Sequence, residues 1–459
     1  MGKVVSRRQR HVIHLMLIGG FLGSMNQMIL GPALPSIMAD LHINAVSGQW
    51  LTTIFLLING IMIPCTAYLS SRFTTRQLFL SAMLLFAIGT GLAGISHTFY
   101  LLLLARALQA VGFGILIPLL TSTILIVYPR EHHGRAMGTL GLVMSAAPAI
   151  GPSLSGWIVD TYNWNMVFLA LLPLIVVDVI LTFIFMKNID EHNEVHLDIP
   201  SVLLSTLGFG GLLYGFSIAG HEGWLSLHTL GTIAFGVVIL YYFFKRQTQL
   251  DTPLLNVSVF KDMQFSIGTA IGMLVNAALL FGGILTPIYL QEIHHFSAFI
   301  AALVMLPAAI ISAIANPIVG AIYDKYNARY VILFGLGLLM VGSFSYTTFD
   351  VNSSVLYLVV CYSLRIIGIS VTMMPVNTWS MRRLDRTMIP HGTAASNTLR
   401  QVAGSVGTAF IISIYMIIQP YAPTTDPALI SLFGIHVAFG VSGLMVVAAM
   451  VLAFFSVKK

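Results

Sequence analysis

"AYLSSRFTTR" (residues 67–76) and "GAIYDKYNAR" (residues 320–329) stand 253 residues apart, each between two long apolar runs. Both carry a basic residue at the sixth position, Arg72 and Lys325, and an arginine at the tenth, Arg76 and Arg329. The same shift sets Pro64 against Pro317, and a shift of 254 sets Gly138 against Gly392. Two copies of one short basic turn imply two copies of the apolar scaffold that holds it. One position breaks the match: the second turn has Asp324 where the first has Ser71.

Composition indicates the medium in which that scaffold sits. The 459 residues are 57% hydrophobic and 8% charged, with mean hydropathy +0.90. Soluble domains carry roughly 25% charged residues, so lipid is expected to solvate most of this surface. A membrane helix needs about 20 mostly apolar residues. The chain offers fourteen such spans, at 11–35, 49–70, 78–96, 100–128, 134–160, 164–187, 199–220, 227–245, 263–291, 297–323, 329–349, 354–377, 388–419 and 430–456. The predicted fold is an all-α membrane protein.

The connecting segments test that count. Lys3, Arg7, Arg8 and Arg10 precede the first span; Arg72 and Arg76, Arg130 and Arg135, Lys187, then Lys245, Arg246 and Lys261 follow on alternate loops. Lys325 and Arg329, then Arg382, Arg383 and Arg386, and finally Lys458 and Lys459 complete the set on the same side. The opposite loops hold only acids, such as Asp40, Asp160, Glu222, Glu292, Asp350 and Asp426. By the positive-inside tendency both termini are expected in the cytoplasm of a cell with a multi-pass protein in its plasma membrane.

Spans one to six then correspond to spans nine to fourteen, with two extra helices between. The expected organisation is a six-helix bundle over 1–187, a linker with two spans over 188–262, and a second six-helix bundle over 263–459. Parallel halves related about the membrane normal are a transporter plan, with the site at midplane between them. The charge of +6 sits in loops, so it is read as membrane orientation and not as a nucleic-acid surface. Cys65 and Cys361 are far apart and give neither a disulfide framework nor metal-ligand spacing. No GxxxxGK[ST] and no HExxH occurs, so neither ATP hydrolysis, a metal site nor any cofactor is expected, and the chain does not read as an enzyme.

Several stretches resemble a known family. The turn at 320–329 resembles the signature turn of the major facilitator superfamily, "RALQAVGFG" (106–114) its fourth-helix signature, and "GPSLSGW" (151–157) its fifth-helix antiporter signature, with Ser155 in place of a glycine. Fourteen spans with "NTLRQVAGSVGTAF" (397–410) resemble its fourteen-helix drug:proton antiporter family. "LGSMNQMILGPALPSIMADL" and "QWLTTIFLLINGIMIPCTAYL" are similar to the Gram-positive lincomycin and multidrug efflux branch. The resemblance implies a bacterial exporter of hydrophobic, often cationic drugs, driven by protons and acting by alternating access, with small-molecule drugs, protons and the bilayer as its partners and a monomeric state. It also implies that helices one, two, four and five, with their counterparts, line the cavity. Many family members have an acid in helix one where this chain has Asn26, and an aspartate where it has Ser71.

Asp178 is the one carboxylate well inside a span, and an intramembrane acid is a functional candidate by default. It is the first proton-coupling candidate, with Arg106, Arg400 and Glu292 beside it; His294 and His295 adjoin Glu292. Buried guanidinium keeps its proton and needs acceptors or water. Arg400 lies about 12 residues into span thirteen, ~18 Å deep at the helical rise. Asn26, Gln27, Trp50, Phe55, Gln109, Arg365, Asn397 and Gln401 are the substrate-cavity candidates, because a drug site is mostly apolar with a few polar anchors. The same amides also fit a second reading, in which they only tie helices together. Ser71, Arg72, Arg76, Asp324, Lys325 and Arg329 are gating candidates on the two turns; Gly151, Pro152 and Gly156 are gating candidates that let helix five bend and approach a neighbour. The scarcity of midplane acids keeps an uncoupled or lipid-directed carrier open, and the weakened first turn keeps open a receptor or scaffold.

Overall fold

The computed structural model describes residues 6–188, 198–423 and 426–457. Lys3, Lys458 and Lys459, part of the basic-side tally, lie outside the described residues. Fourteen helices among them are long and apolar enough to cross a membrane. In chain order they are α1 (Arg7–Asp40), α2 (Ala45–Arg72), α3 (Thr75–Gly94), α4 (Phe99–Val127), α5 (His133–Thr161), α6 (Asn165–Phe185), α7 (Ile199–Glu222), α8 (Leu227–Gln247), α9 (Met263–Ile288), α10 (Ala298–Lys325), α11 (Ala328–Phe344), α12 (Val355–Met381), α13 (Ile389–Ile418) and α14 (Pro427–Ser456). Every expected span is present.

The helix ends differ from the apolar runs by a few residues, for a local reason. Thr74 caps α3 by accepting from Gln77 N at 3.2 Å, and the Gln77 side chain accepts from Thr74 N at 3.1 Å. This reciprocal box satisfies amides that have no partner within the helix, and it starts α3 three residues before the apolar run. Asn44 does the same for α2 by accepting from Ser47 N. Hydropathy finds the part of a helix that meets lipid, whereas the caps lie in the polar layer beyond it. At the far end of α9 the chain continues through a π-helical turn, Tyr289–Ile293, that the apolar run does not distinguish.

Helix packing follows the repeat. α1 packs on α4, α5 and α6, as α9 packs on α12, α13 and α14. α3 packs on α4 and α6, as α11 does on α12 and α14, and α2 packs on α4 as α10 does on α12. The first set has a core around Phe79, Phe86 and Phe168; the second has Phe281, Tyr346 and Phe439. The two sets meet along two seams, α5 with α10 and α2 with α13. α7 lies on α2 and α13, and α8 packs on α7. Away from these contacts, Ile310, Ile314, Ile318 and Ile322 form an exposed stripe at one-turn spacing along α10. Such a surface is at home only against hydrocarbon, where each helix satisfies its own backbone.

Candidate functional site

The α5–α10 seam is closed at the membrane face that carries the basic turns. Asp324, in the last turn of α10, accepts hydrogen bonds from Gly134 N at 2.7 Å and Arg135 N at 2.8 Å. These amides belong to the first turn of α5, where backbone N–H groups lack helical partners. A carboxylate there also meets the positive end of the helix dipole. Close approach is possible because the seam is lined with glycine. A Cβ on Gly138 would sit 2.6 Å from Asn316 O, and one on Gly320 would run into the Gly134 carbonyl. Arg130 adds a second tie on this face by donating to Leu384 O at 3.3 Å.

The other turn is built differently. Ser71 Oγ donates to Tyr68 O on its own helix at 2.7 Å, and Arg72 donates to the Tyr68 hydroxyl at 3.2 Å. The arginines at the tenth positions keep their equivalence. Arg76 donates to Phe183 O at 2.6 Å with its guanidinium 5.7 Å from the Phe183 ring. Arg329 lies 4.8 Å from the Phe454 ring. Each therefore ties the third helix of its set to the end of the sixth. Lys325 is exposed at the end of α10.

Arg106 sits at the meeting of α1, α2, α3 and α4, 1% exposed. Its Nη1 donates to Asn26 Oδ1 at 2.9 Å and to Gln109 Oε1 at 2.8 Å, and its Nε donates to Leu51 O at 3.3 Å. The Phe55 ring lies 4.3 Å from the guanidinium, and Gln109 donates onward to Thr90 Oγ1 at 3.1 Å. Four of the sequence candidates, Asn26, Phe55, Arg106 and Gln109, are thus one buried network. Gln27 is half-buried beside it. Arg365 is fully buried inside the second set, donating to Ala278 O of α9 and facing the Phe439 ring of α14 at 5.3 Å.

Arg400, Asn397 and Gln401 share α13. Arg400 donates to Asn397 Oδ1, and its stem lies over Gly272 of α9. Gln401 is at the α2–α13 seam, where a Cβ on Gly60 would come within 3.3 Å of its Cγ. Trp50 stacks on Tyr214 of α7, with centroids 5.9 Å apart, and so faces the extra helices rather than the other seam.

A cluster that the sequence reading did not single out sits halfway along α5, α10 and α12. Ser312 Oγ donates to Ser145 Oγ at 3.1 Å, and Asn316 Nδ2 donates to Ser145 Oγ and Ser312 O, both at 2.9 Å. Ser370 shares a hydrogen bond with Ser312. These groups join the two sets at mid-depth. The signal available in the sequence was the pair Ser312 and Asn316, four apart and hence on one helical face.

The remaining candidates scatter. Asp178 is 1% exposed on α6, with neither carboxylate oxygen hydrogen-bonded. A Cβ on Gly19 of α1 would meet Phe79, Met83 and Asp178, so the acid lies between α1 and α3, away from both seams. Glu292 accepts from Ser431 Oγ at 2.7 Å and from the Tyr415 hydroxyl at 3.0 Å, which ties the end of α9 to α13 and α14. His294 is within 3.2 Å of the Tyr289 hydroxyl, and burial first, then the charge of His295, lowers its pKa from the ordinary histidine value. In α5, a Cβ on Gly151 would lie 3.1 Å from Met28, but one on Gly156 would meet nothing within 4 Å. The close approach expected of both glycines therefore holds at Gly151 alone, with Pro152 half-buried next to it. Ser155, the departure from the antiporter signature, makes the bond to α1 by donating to Ile29 O at 2.6 Å.

Known proteins place this architecture. The family model described as Major Facilitator Superfamily matches residues 16–408. "Uncharacterized MFS-type transporter YcnB" of Bacillus subtilis (strain 168) is 41% identical over 448 residues, covering 98% of this chain and 95% of the relative. "Lincomycin resistance protein LmrB" of the same organism is 36% identical over 450 residues, covering 96% and 94%. Among solved structures, the human organic anion transporter MFSD10 superposes with TM-score 0.68 at 14% identity, over 97% of this chain and 99% of that one, a likeness of fold. With paired helix sets, two seams and these relatives, the chain belongs to the Major Facilitator Superfamily, as a multi-pass membrane transporter and not an enzyme.

Proposed function

We propose that this protein exports lipophilic drugs from the bacterial cytoplasm in exchange for protons, by rocking residues 1–187 against residues 263–459. The observation that carries the reading is the Asp324 carboxylate of α10 holding the first turn of α5 across the seam. That contact closes one membrane face and must break for the face to open, which is the requirement of alternating access. The basic loops make the closed face cytoplasmic. The likeness to a lincomycin resistance protein supports drugs as cargo. Asp178 is the proposed proton carrier. It is the deepest carboxylate among the described residues and has no hydrogen-bond partner, so its charge state is free to follow access to water.

An uncoupled carrier is the second reading, favoured by one observation: the mid-depth cluster between the halves, Ser145, Ser312, Asn316 and Ser370, is uncharged. Everted vesicles decide between them. Uptake of a fluorescent drug that stops when the pH gradient is collapsed supports exchange. Uptake indifferent to the gradient supports the uncoupled carrier, and no uptake of any drug defeats both.

A further inference from the structure

α7 and α8 stand outside the repeat and pack tightly on each other. A Cβ on Gly236 of α8 would come within 2.7 Å of Leu212 N, and one on Gly211 of α7 within 3.2 Å of Gly236 Cα. Small residues at a helix seam let the backbones approach this closely, so the hairpin is one unit. On the basic face a hydrogen-bonded path leads from it to the second set. Asp198, just ahead of α7, pairs with Arg246 of α8 at 2.7 Å and accepts from Ser201 Oγ. Gln247 donates to Ser201 Oγ at 2.7 Å and accepts from Leu255 N at 3.2 Å. The next residue, Asn256, donates its backbone N–H to His391 Nδ1 in the first turn of α13 at 3.2 Å. Leu254, Leu255 and Val259 of this segment are buried, and Asp262 caps α9 by accepting from Phe265 N at 2.8 Å.

At the opposite membrane face Trp224 Nε1 donates to Ser413 Oγ of α13 at 2.6 Å. His391 and Ser413 stand about six turns apart on α13, ~33 Å at the helical rise. One tie would let the hairpin pivot; two so far apart fix both its position and its tilt on α13. Contact with the first set is of another kind. Leu213 of α7 and Gln401 of α13 converge on Gly60 of α2, where a Cβ would come 2.4 Å from the leucine and 3.3 Å from the glutamine. A Cβ on Gly210 would lie 3.3 Å from Ile61, and Trp50 stacks on Tyr214 with centroids 5.9 Å apart. Dispersion contacts of this sort have no preferred direction, whereas a hydrogen bond weakens steeply when bent or stretched. An apolar, glycine-notched surface can shear; the paired ties to α13 cannot without breaking.

We propose that α7–α14 move as one eight-helix body against the six helices α1–α6, with the α2–α7 contact as the surface that slips. This rests on the alternating-access reading above and divides the chain by mechanics rather than by repeat. The two seams then work differently. α5 and α10 part directly, glycine from backbone. α2 instead slides over a surface made jointly by α7 and α13, which keep their mutual arrangement.

Pairs of spin labels in the full chain, in lipid nanodiscs, test this. With Cys65→Ala and Cys361→Ala removing the free thiols, labels go on Lys187→Cys past α6, Lys245→Cys in α8 and Arg383→Cys past α12, all exposed. Asp324→Asn then weakens the acceptor that closes the basic face. The 187–383 and 187–245 distances should lengthen together while 245–383 keeps its length. A 245–383 distance that lengthens while 187–245 holds would assign the hairpin to the first set and overturn the proposal. Changes in both distances from 245 would make the hairpin a third body, with the same consequence. A 187–383 distance that never moves counts against the rocking of the halves, and the fastening is then decided without Asp324→Asn. Cutting both ties with His391→Leu and Ser413→Ala should broaden the 245–383 distribution and leave the 187–131 distribution, read with Glu131→Cys within the first set, as it was. A 245–383 distribution that stays narrow without the ties overturns the proposal.

Discussion

Arg106 donates to Asn26 across 2.9 Å, and neither side chain exposes more than 1% of its surface. The guanidinium cannot shed its charge, so the amides of Asn26 and Gln109 and the Leu51 carbonyl substitute for water around it. Asn26→Leu removes one acceptor and leaves the cation short of a partner. The expected cost is about 1.5–3 kcal/mol, the range for hydrogen bonds to charged groups, seen as a lower melting temperature of the purified protein. Asn26→Asp keeps the acceptor and adds a counter-charge, so it should melt no lower than the unmutated chain. Equal melting of Asn26→Leu and the unmutated chain would show that the network contributes nothing.

Asp324 supplies the same service at a helix end. Asp324→Ala leaves Gly134 N and Arg135 N without their acceptor. Capping and dipole contacts of this kind are worth about 1–2 kcal/mol, so the two amides should exchange hydrogen roughly 5–30 times faster. Amides at the far end of α5 should not change. Unaltered exchange at 134 and 135 would mean that the carboxylate does not hold the closed face.

The glycines of α5 separate seam from surface. Gly138→Ala drives a Cβ toward Asn316 O at 2.6 Å and Pro317 Cα at 3.0 Å, both backbone atoms that cannot rotate aside. Overpacking costs about 1–3 kcal/mol, and it falls on the closed state, so a cysteine label placed in the seam should become more reactive. Gly156→Ala meets nothing within 4 Å; it should be neutral or slightly stabilising, by up to ~1 kcal/mol from helix propensity. The two variants must differ in labelling, or the seam is not where the close approach matters.

Asp198 lies outside the spans, where the Arg246 side chain holds its carboxyl down to about 2. An unfolded aspartate titrates near ~3.9. The folded form therefore binds its proton less readily, and the pair's contribution is fully present above pH ~4 and lost as the pH falls toward 2. The pair is partly exposed, with Arg246 at 39%, so solvent screens it and its contribution is small. The melting gap between the unmutated chain and Asp198→Asn should close over that window and remain constant from pH 5 to 7.

The architecture was readable because its cause is spread over the whole chain. Hydropathy, loop charge and the repeated turn each constrain the span count separately, and packing of α1–α6 reproduces that of α9–α14. Site residues depend on a single rotation about a helix axis, which a sequence reading does not supply. Arg106, Asn26 and Gln109 converge, but Arg365, on the matching helix, is sealed inside the second set with Phe439. Glu292, a proton-coupling candidate by its charge, also ties three helices together through Tyr415 and Ser431, which its position in the sequence does not show. Ser145, Ser312 and Ser370 do not stand out in the sequence because a lone serine in an apolar run carries no charge signal. Only packing reveals that the three meet.

Asp178 brings stability and function into opposition. Its two oxygens are buried without partners, with Phe79 and Met83 beside it. An unsatisfied buried polar group costs about 1–3 kcal/mol, so Asp178→Leu should raise the melting temperature by removing it. If the acid carries the coupled proton, the same substitution must break coupling while leaving the path open. In everted vesicles Asp178→Leu and Asp178→Asn should still equilibrate a drug down its gradient, yet fail to concentrate it when a pH gradient is imposed. A structural acid predicts otherwise: uphill and downhill rates would change by one common factor. Concentrative uptake at full strength in Asp178→Asn, with the pH gradient still required, would move the coupling site elsewhere in the protein.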